Sequence, residues 1–237
     1  MNKILILLIA MLPMQMLKAG HHHRYSAANQ ITFHNGVTKD FVGSGFIIKH
    51  RNKTYAITAK HVLLETMDQG VNSIDIQEQV KQWQLAPFNE DTGVVKLGQL
   101  LNANQQEALD IKVLQDDWLV FEVLTNDSTL KTLKPANKPL KSGDTISVYG
   151  CNYSNQKNCQ QQHYKGTFER EADANLLIKL ELDDLSQLRG LSGAPVLNSN
   201  HEVVGIVSNV LPDEVNGGFY FAPFNIEAVK SFLNAHE

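Results

Sequence analysis

The chain has 237 residues, a formal net charge of −4 and two cysteines. This length suits one large domain or two smaller ones of about 100 to 150 residues each. With 43% hydrophobic and 19% charged residues, the chain can close an apolar core, which excludes disorder over its whole length. Lys and Arg (21) do not outnumber Asp and Glu (25), so the charge balance gives no reason to expect nucleic acid as a partner.

The first 19 residues have the pattern of a secretory signal peptide. Lys3 precedes a mostly apolar run over residues 4–17, and Ala19 is the small residue that a signal peptidase prefers before its cleavage site. The run is shorter than the roughly 20 residues that cross a bilayer, and Pro13 interrupts it. We therefore expect cleavage after residue 19, export to the periplasm or the medium, and no stable membrane anchor on the product.

Neither the histidines nor the cysteines form a pattern that predicts a metal or cofactor site. The tract His21-His22-His23 is typical of a mobile polar tail, with incidental metal binding as the alternative. Cys151 and Cys159 are expected to pair in an oxidising compartment as a structural disulfide. The competing hypothesis, a redox or metal pair, lacks further ligands between them.

Short apolar runs broken by Gly, Asn and Asp follow the signal and predict β-strands. The predicted strands cover residues 31–34, 41–49, 54–58, 79–85, 118–124, 145–149, 176–182, 202–210 and 219–221. A short helical turn is predicted over 60–65. A C-terminal helix is predicted over 225–235, where Ile226, Val229, Phe232 and Leu233 share one face.

A connector is predicted over residues 126–143, which contain two prolines and four lysines without a sustained apolar period. It divides the exported chain into an N-terminal barrel over 20–125 and a C-terminal barrel, with the terminal helix, over 144–237. Each half carries about half of the predicted strands. That distribution is typical of two small antiparallel barrels rather than alternating strands and helices.

Three short segments carry reactive side chains in the order His, Asp, Ser. They are Thr58-Ala59-Lys60-His61-Val62, Asp117-Trp118-Leu119-Val120-Phe121 and Gly190-Leu191-Ser192-Gly193-Ala194-Pro195. With Gly43-Ser44-Gly45 before them and Val204-Gly205-Ile206 after them, the chain resembles the chymotrypsin-like serine peptidases. The similarity is closest to the minimal exported bacterial members, including the catalytic domains of periplasmic heat-shock proteases.

The resemblance implies an all-β fold of two six-stranded antiparallel β-barrels with a C-terminal helix. It also implies a serine endopeptidase that acts on protein or peptide substrates without a cofactor. Ser192 would attack the acyl carbon, His61 would take its proton, and Asp117 would orient the imidazole. Asp116 is the rival acid, but the family's aspartate directly precedes the apolar strand, which favours Asp117.

The same resemblance assigns the oxyanion hole to the backbone N–H groups of Gly190 and Ser192. Leu191 stands where digestive members carry an aspartate that binds a newly cut N-terminus, so activation through that ion pair is not expected. Only residues 231–237 lie beyond the middle of the final helix, and we therefore expect no PDZ module after the barrels.

The primary specificity pocket is assigned by its offset from the serine. Ser186 would form its floor and Gln187 part of its wall, and one side would be lined by Ser208, Asn209 and Val210. No charge is predicted at the floor, so cleavage after Lys or Arg is not expected. Val210 would narrow the opening and favour small or modest apolar side chains. Arg189 offers an alternative contact to a polar or acidic substrate group near the mouth.

Two other functions are weighed against peptide hydrolysis. The first is a binding module with the same fold and little or no activity, in which the cleft is blocked or the loop around Leu191 has collapsed. The second is a metal-binding protein that uses the histidine tract.

The serine motif is not Gly-x-Ser-x-Gly and the histidine precedes the serine, which disfavours α/β-hydrolases. No His-Glu-x-x-His motif occurs, which disfavours zinc peptidases.

Overall fold

A computed structural model describes residues 24–88, 93–154, 159, 161–182 and 184–236. The predicted signal peptide (1–19) and the histidine tract (21–23) lie outside the described residues. Most of the described chain is strand. The strands are β1 Ala27–Phe33, β2 Thr38–Lys39, β3 Ser44–His50, β4 Lys53–Thr58, β5 Ser73–Ile74, β6 Val80–Ala86, β7 Val95–Leu100, β8 Asn104–Ala108, β9 Leu119–Asn126, β10 Thr132–Leu133, β11 Thr145–Gly150, β12 Gln162–Ala172, β13 Asn175–Leu180, β14 Pro195–Leu197, β15 Val203–Pro212 and β16 Phe219–Asn225.

Helical structure is sparse in the described ranges. 3₁₀ segments cover Lys60–Gln69, Ile111–Asp116 and Leu185–Leu188, residues 153–154 are also 3₁₀, and the α-helix α1 covers Glu227–Ala235. Within the described chain, no helix combines the length and the apolar content that crossing a membrane requires.

The first half of the chain forms a six-stranded antiparallel barrel. Its strands follow the order β1-β3-β4-β9-β7-β6, and β6 pairs with β1 to complete the ring. β2 extends β1 on one side, and the short β10 pairs in parallel with β3. Apolar side chains that face inward fill the barrel, among them Ile31, Phe46, Ile57, Trp83 and Phe121, each at most 3% exposed.

The second half forms a closed barrel in the order β11-β12-β13-β16-β15-β14, with every neighbouring pair antiparallel. Its core is a separate apolar cluster that includes Ile146, Val148, Ile178, Val196 and Phe221. The predicted fold class, two six-stranded antiparallel barrels followed by a helix, is confirmed.

The connector predicted over 126–143 is a packed crossover between the barrels. Leu130 and Leu133 are buried in the core of the first barrel, while Ala136 belongs to the core of the second. Backbone hydrogen bonds from Ala136 N to Val203 O and from Val203 N to Lys134 O, both 2.8 Å, fix the segment to the second barrel. The segment therefore packs against both barrels and is not a free linker, despite its prolines and lysines.

The helix α1 follows the second barrel in sequence but packs on the first. Its stripe residues Val229 and Leu233 are fully buried in the cluster that fills the first barrel. The Phe232 ring makes an edge contact with Trp118, at 5.1 Å between centroids. The two ends of the described chain therefore share one core.

Candidate functional site

Strand register brings the predicted base and acid together. Thr58, the last residue of β4, pairs with Leu119, the first residue of β9. His61 lies just after β4, in the first turn of the 3₁₀ segment Lys60–Gln69, and Asp117 lies just before β9. Because β4 and β9 are neighbours, both side chains emerge at the same end of the first barrel.

His61 contacts Asp117 at two points. The ring Nδ1 lies 2.7 Å from Asp117 Oδ2, and the His61 backbone N–H donates to Oδ1 at 2.8 Å. Asp117 is fully buried, while the His61 side chain is 19% exposed. With a carboxylate at Nδ1, that nitrogen carries the hydrogen, and Nε2 is left as the proton acceptor. This is the orientation that a general base requires.

The structure separates Asp117 from its rival. The Asp116 side chain is 58% exposed, and its Oδ1 accepts a hydrogen bond from Trp118 Nε1 at 2.5 Å. Its Oδ2 lies 3.6 Å from Lys60 Nζ. Asp116 thus contacts Trp118 and Lys60, whereas Asp117 is the carboxylate that contacts the imidazole.

Sequence reasoning missed a buried cation beside this pair. Lys60 is 2% exposed, and its ammonium group lies 2.6 Å from Glu107 Oε1 in addition to its contact with Asp116. A buried charge needs such partners, because desolvation otherwise penalises it strongly. The contact ties the residue before His61 to the residue before Asp117. The only signal in the sequence is a lysine at the variable position of Thr-Ala-x-His.

The segment that carries Ser192 lies against the first barrel. A Cβ atom at Gly43 would be 3.5 Å from Ser192 Cβ and 2.8 Å from Val62 Cγ1, so Ser192 and the residue after His61 meet at this glycine. Gly193 has φ +87°, and a Cβ there would lie 2.2 Å from Ser44 O and 2.4 Å from Thr58 Oγ1. The three motifs predicted from the sequence therefore converge where the barrels touch.

Hydrogen bonds hold all four carbonyl groups from Arg189 to Ser192. Tyr153 N donates to Arg189 O at 3.0 Å, and Ala194 N donates to Leu191 O at 2.7 Å. Ser44 supplies the other two bonds, from its Oγ to Gly190 O at 2.8 Å and from its N to Ser192 O at 2.7 Å. The peptide planes of this loop are consequently fixed.

The two amides predicted for the oxyanion hole point away from those bonds. In a trans peptide the C=O and the following N–H are antiparallel, so the Gly190 N–H points away from Tyr153 and the Ser192 N–H points away from Ala194. Neither amide donates a hydrogen bond to another of the described residues. Gly190 has φ +100°, a conformation that glycine adopts without steric cost.

Ser44 links the barrels and was quoted in the sequence motif without a role. It is fully buried, and its carbonyl accepts from Thr58 Oγ1 at 2.7 Å and from Asn29 Nδ2 at 2.9 Å. Asn29 is itself buried and accepts from Trp83 Nε1 at 3.0 Å. A satisfied buried network of this kind is rigid, because breaking any bond leaves a polar group without a partner.

Leu191 is fully buried in the core of the second barrel. Its N–H donates to Leu188 O at 3.0 Å, and a Cβ at Gly150 would lie 3.2 Å from its Cγ. Apolar burial thus anchors the position where digestive relatives use an ion pair.

The residues predicted for the floor and wall of the pocket lie beside a carboxylate. Ser186 and Gln187 are exposed and lie in the short 3₁₀ segment Leu185–Leu188. Asp184 caps that segment, accepting from Ser186 N at 2.9 Å and from Ser186 Oγ at 2.6 Å. A carboxylate therefore adjoins the predicted floor residue. The Ser186 bonds lower the pKa of Asp184 below its ordinary value.

The other predicted pocket residues lie on β15. Ser208 is half-buried and its hydroxyl donates to Asp117 Oδ2, so this side chain supports the acid. The register of β15 against β16 shifts between Ile206 and Asn209, which places Ser208 in an irregular stretch of the strand. Asn209 Oδ1 accepts from Val210 N at 2.8 Å, and both residues are half-buried.

The predicted disulfide is present, with Cys151 joined to Cys159 and the two Cα atoms 5.8 Å apart. Within the ranges that the structure describes, no group of three or more His, Cys, Asp or Glu side chains is arranged to hold a metal ion.

Comparison with known proteins agrees with this geometry. The model of the trypsin-like peptidase domain matches residues 43–206, which include all three motifs. Among solved structures, the chain is similar to the crystal structure of the serine endoprotease from Yersinia pestis, with 17% identity and a TM-score of 0.56. That match covers 90% of this chain and 63% of the other, so the chain spans less than two thirds of that protein's length. At this identity the match shows the shared fold, and the family resemblance read from the motifs is confirmed. The chain belongs to the trypsin-like peptidase domain family.

Proposed function

We propose that the chain is an exported serine endopeptidase that hydrolyses peptide bonds through an acyl-enzyme intermediate. The observation that carries this proposal is the two-point contact of His61 with the buried Asp117, at 2.7 and 2.8 Å. Such a contact holds the ring in one orientation and stabilises the imidazolium, which are the two functions that a general base needs from its acid partner. Here that contact lies next to a serine loop whose peptide planes are fixed.

In the proposed first step, Ser192 Oγ attacks the substrate carbonyl carbon as His61 Nε2 removes the hydroxyl proton. The imidazolium that forms is stabilised by Asp117, which accepts a third hydrogen bond from Ser208 in addition to its two from His61. The negative oxygen of the tetrahedral intermediate accepts from the N–H groups of Gly190 and Ser192. Collapse of the intermediate breaks the C–N bond, and His61 gives its proton to the leaving amine.

In the second step, water repeats the attack on the acyl carbon. His61 takes a proton from the water, and the same two amides stabilise the second oxyanion. The ester bond to Ser192 then breaks, the serine recovers its proton from His61, and the acid product leaves. Every proton moves between groups of the chain, the substrate and water, so the reaction needs no cofactor.

Export is part of the proposal. The apolar N-terminal run supports it, and so does the disulfide between Cys151 and Cys159, because such bonds persist in oxidising compartments. The mature chain is then expected to begin at Gly20. Mass spectrometry of the protein recovered outside the cytoplasm tests this expectation, and an intact N-terminus there would contradict it.

The proposed hydrolysis is tested with a fluorophosphonate probe on the purified mature protein. We expect stoichiometric labelling of the wild type and none of Ser192→Ala, since the probe bonds to an activated serine oxygen. A folded wild type that takes up no label would contradict hydrolysis and favour the binding module.

The pH profile tests the base independently. We expect hydrolysis to fall toward acid pH, because a general-base histidine can accept the serine proton only in its neutral form. A profile without this fall would contradict the role of His61.

A further inference from the structure

Tyr153 joins the disulfide to the loop of the proposed oxyanion hole. Its backbone N–H donates to Arg189 O at 3.0 Å, which sets the plane of the Arg189–Gly190 peptide. On the other side of that plane is the Gly190 N–H, one of the two proposed oxyanion donors. Tyr153 is thus the residue whose main chain aims this donor.

The Tyr153 side chain is held by the first barrel. Its phenolic oxygen accepts from Gly43 N at 3.1 Å, and its ring meets Phe41 edge-on at 4.8 Å between centroids. Although the residue is 43% exposed, partial burial raises the pKa of its phenol, so the hydroxyl is neutral at physiological pH. Both contacts are to the segment that also approaches Ser192.

The Tyr153 main chain is held by the second barrel. It follows Cys151 by two residues, and Cys151 is fully buried and bonded to Cys159. A Cβ at Gly190 would lie 2.9 Å from Tyr153 N and 3.2 Å from Cys151 O, so this stretch packs directly on the donor peptide. The disulfide therefore fixes the position from which Tyr153 N donates.

We infer that Tyr153 is a positioning residue for the oxyanion donor of Gly190, and that the Cys151–Cys159 disulfide keeps it in place. The inference rests on the proposed function and goes beyond it by making turnover dependent on the redox state of the chain. A dithiol reductant supplies two electrons and two protons to the two Sγ atoms. The S–S bond breaks, two thiols form, and the reductant closes into its own disulfide. Tyr153 N then loses its fixed distance to Arg189 O.

The test compares four proteins: the oxidised wild type, Tyr153→Phe, Tyr153→Ala and the double variant Cys151→Ser/Cys159→Ser. For each, kcat and KM are measured on a peptide amide, together with the affinity for a peptidyl aldehyde, whose hemiacetal oxygen occupies the oxyanion site. Tyr55→Phe, which removes a phenolic oxygen within β4 of the first barrel, is the matched control.

Loss of the whole Gly190 donor would lower kcat by about 10²- to 10³-fold, and this is the upper limit for the effect of any variant that only misplaces the donor. We expect Tyr153→Phe to lower kcat by about 3- to 10-fold, the value of one hydrogen bond. Tyr153→Ala and the double variant should lower it by about 10- to 100-fold, between these limits. Aldehyde affinity should fall by the same factor as kcat, with KM and the midpoint of the pH profile unchanged.

The redox arm uses the same proteins. Treatment with a dithiol should bring the wild type to the turnover of the double variant, reoxidation should restore it, and the double variant should not respond. Turnover of the double variant equal to that of the oxidised wild type would overturn the inference. Unchanged aldehyde affinity despite a lower kcat would also overturn it.

Two further outcomes are decisive. If the alanine and double variants do not fold, Tyr153→Phe decides alone, and a kcat within about twofold of the wild type overturns the inference. If fluorophosphonate labels the oxidised wild type but no Tyr153 variant is impaired, the further inference fails while the proposed function stands. A folded wild type that is not labelled overturns both.

Discussion

The two barrels contribute to the site by different means. The first places His61 and Asp117 at the ends of neighbouring strands, so their distance follows from the pairing of β4 with β9. The second presents Ser192 on a loop, whose carbonyl groups are held by Ser44 of the first barrel and by Tyr153 near the disulfide. Strand register fixes the half of the site that holds His61 and Asp117, which we call the acid–base half. Long-range side-chain and loop contacts fix the half that holds Ser192, the nucleophile half.

The largest expected effect tests the acid–base half. Asp117→Asn should lower kcat by about 10⁴, because an amide at this position favours the wrong tautomer of the imidazole. Asp116→Asn is the matched control and should cost less than about tenfold, since Asp116 meets Trp118 and Lys60 rather than His61. Steady-state kinetics on one peptide substrate measures both. The reverse order would reassign the acid.

The next effect tests the contact between the halves. Gly193→Ala should lower kcat by about 10² to 10³, because the new Cβ would lie 2.2 Å from Ser44 O and displace the serine loop. Gly217→Ala is the control: its φ is also positive, at +74°, but nothing lies within 4 Å of the added Cβ. The control should lose about 1 kcal/mol of unfolding free energy and keep its turnover. Equal losses of turnover would show that the φ angle, not the contact, matters.

A smaller effect is expected at Ser44 itself. Ser44→Ala removes the Oγ donor to Gly190 O and should lower kcat by about tenfold, the value of one buried hydrogen bond. Ser26 is also fully buried and donates from Oγ to a carbonyl, Tyr149 O, at 2.8 Å. Ser26→Ala should therefore lose similar stability in denaturant titration without the loss of kcat. Equal turnover of the two variants would contradict the role of Ser44.

The smallest effect concerns the pocket. Asp184→Asn should change the preference between Lys and Leu at the cleavage site by less than about threefold, because an exposed carboxylate is screened by solvent. The Asp184 carboxylate is also already occupied by Ser186 N and Oγ. A peptide-library cleavage profile of both proteins measures the preference. A large loss of cleavage after Lys would make Asp184 the specificity determinant and overturn the expected preference for apolar side chains.

The sequence predicted some strands of the fold and missed others, and the difference lies in how buried and apolar each strand is. Strands that contain a continuous run of buried apolar residues, such as β4 and β15, were predicted near their observed positions. β12 was missed because five of its eleven residues are exposed and polar, including His163 and Lys165, which hides the apolar alternation. β7 was missed for a similar reason, since Lys96 and Gln99 face solvent.

The site shows the limit more sharply. His61, Asp117 and Ser192 stand in local motifs, so their neighbourhood could be predicted from short segments. The contacts of Ser44 and Tyr153 join residues more than 30 positions apart in the chain, and no local pattern encodes them. Asp184 was missed because offsets counted from the serine do not reveal which side chain caps a short helical turn.

The packing of α1 on the first barrel has a consequence for how the protein is made. Val229 and Leu233 complete a core whose strands come from the opposite end of the chain, and Phe232 covers the ring of Trp118, the neighbour of Asp117. The first barrel therefore gains these core contacts only after residues 227–235 have been synthesised, so folding of the half that carries His61 and Asp117 depends on a segment far downstream in the sequence.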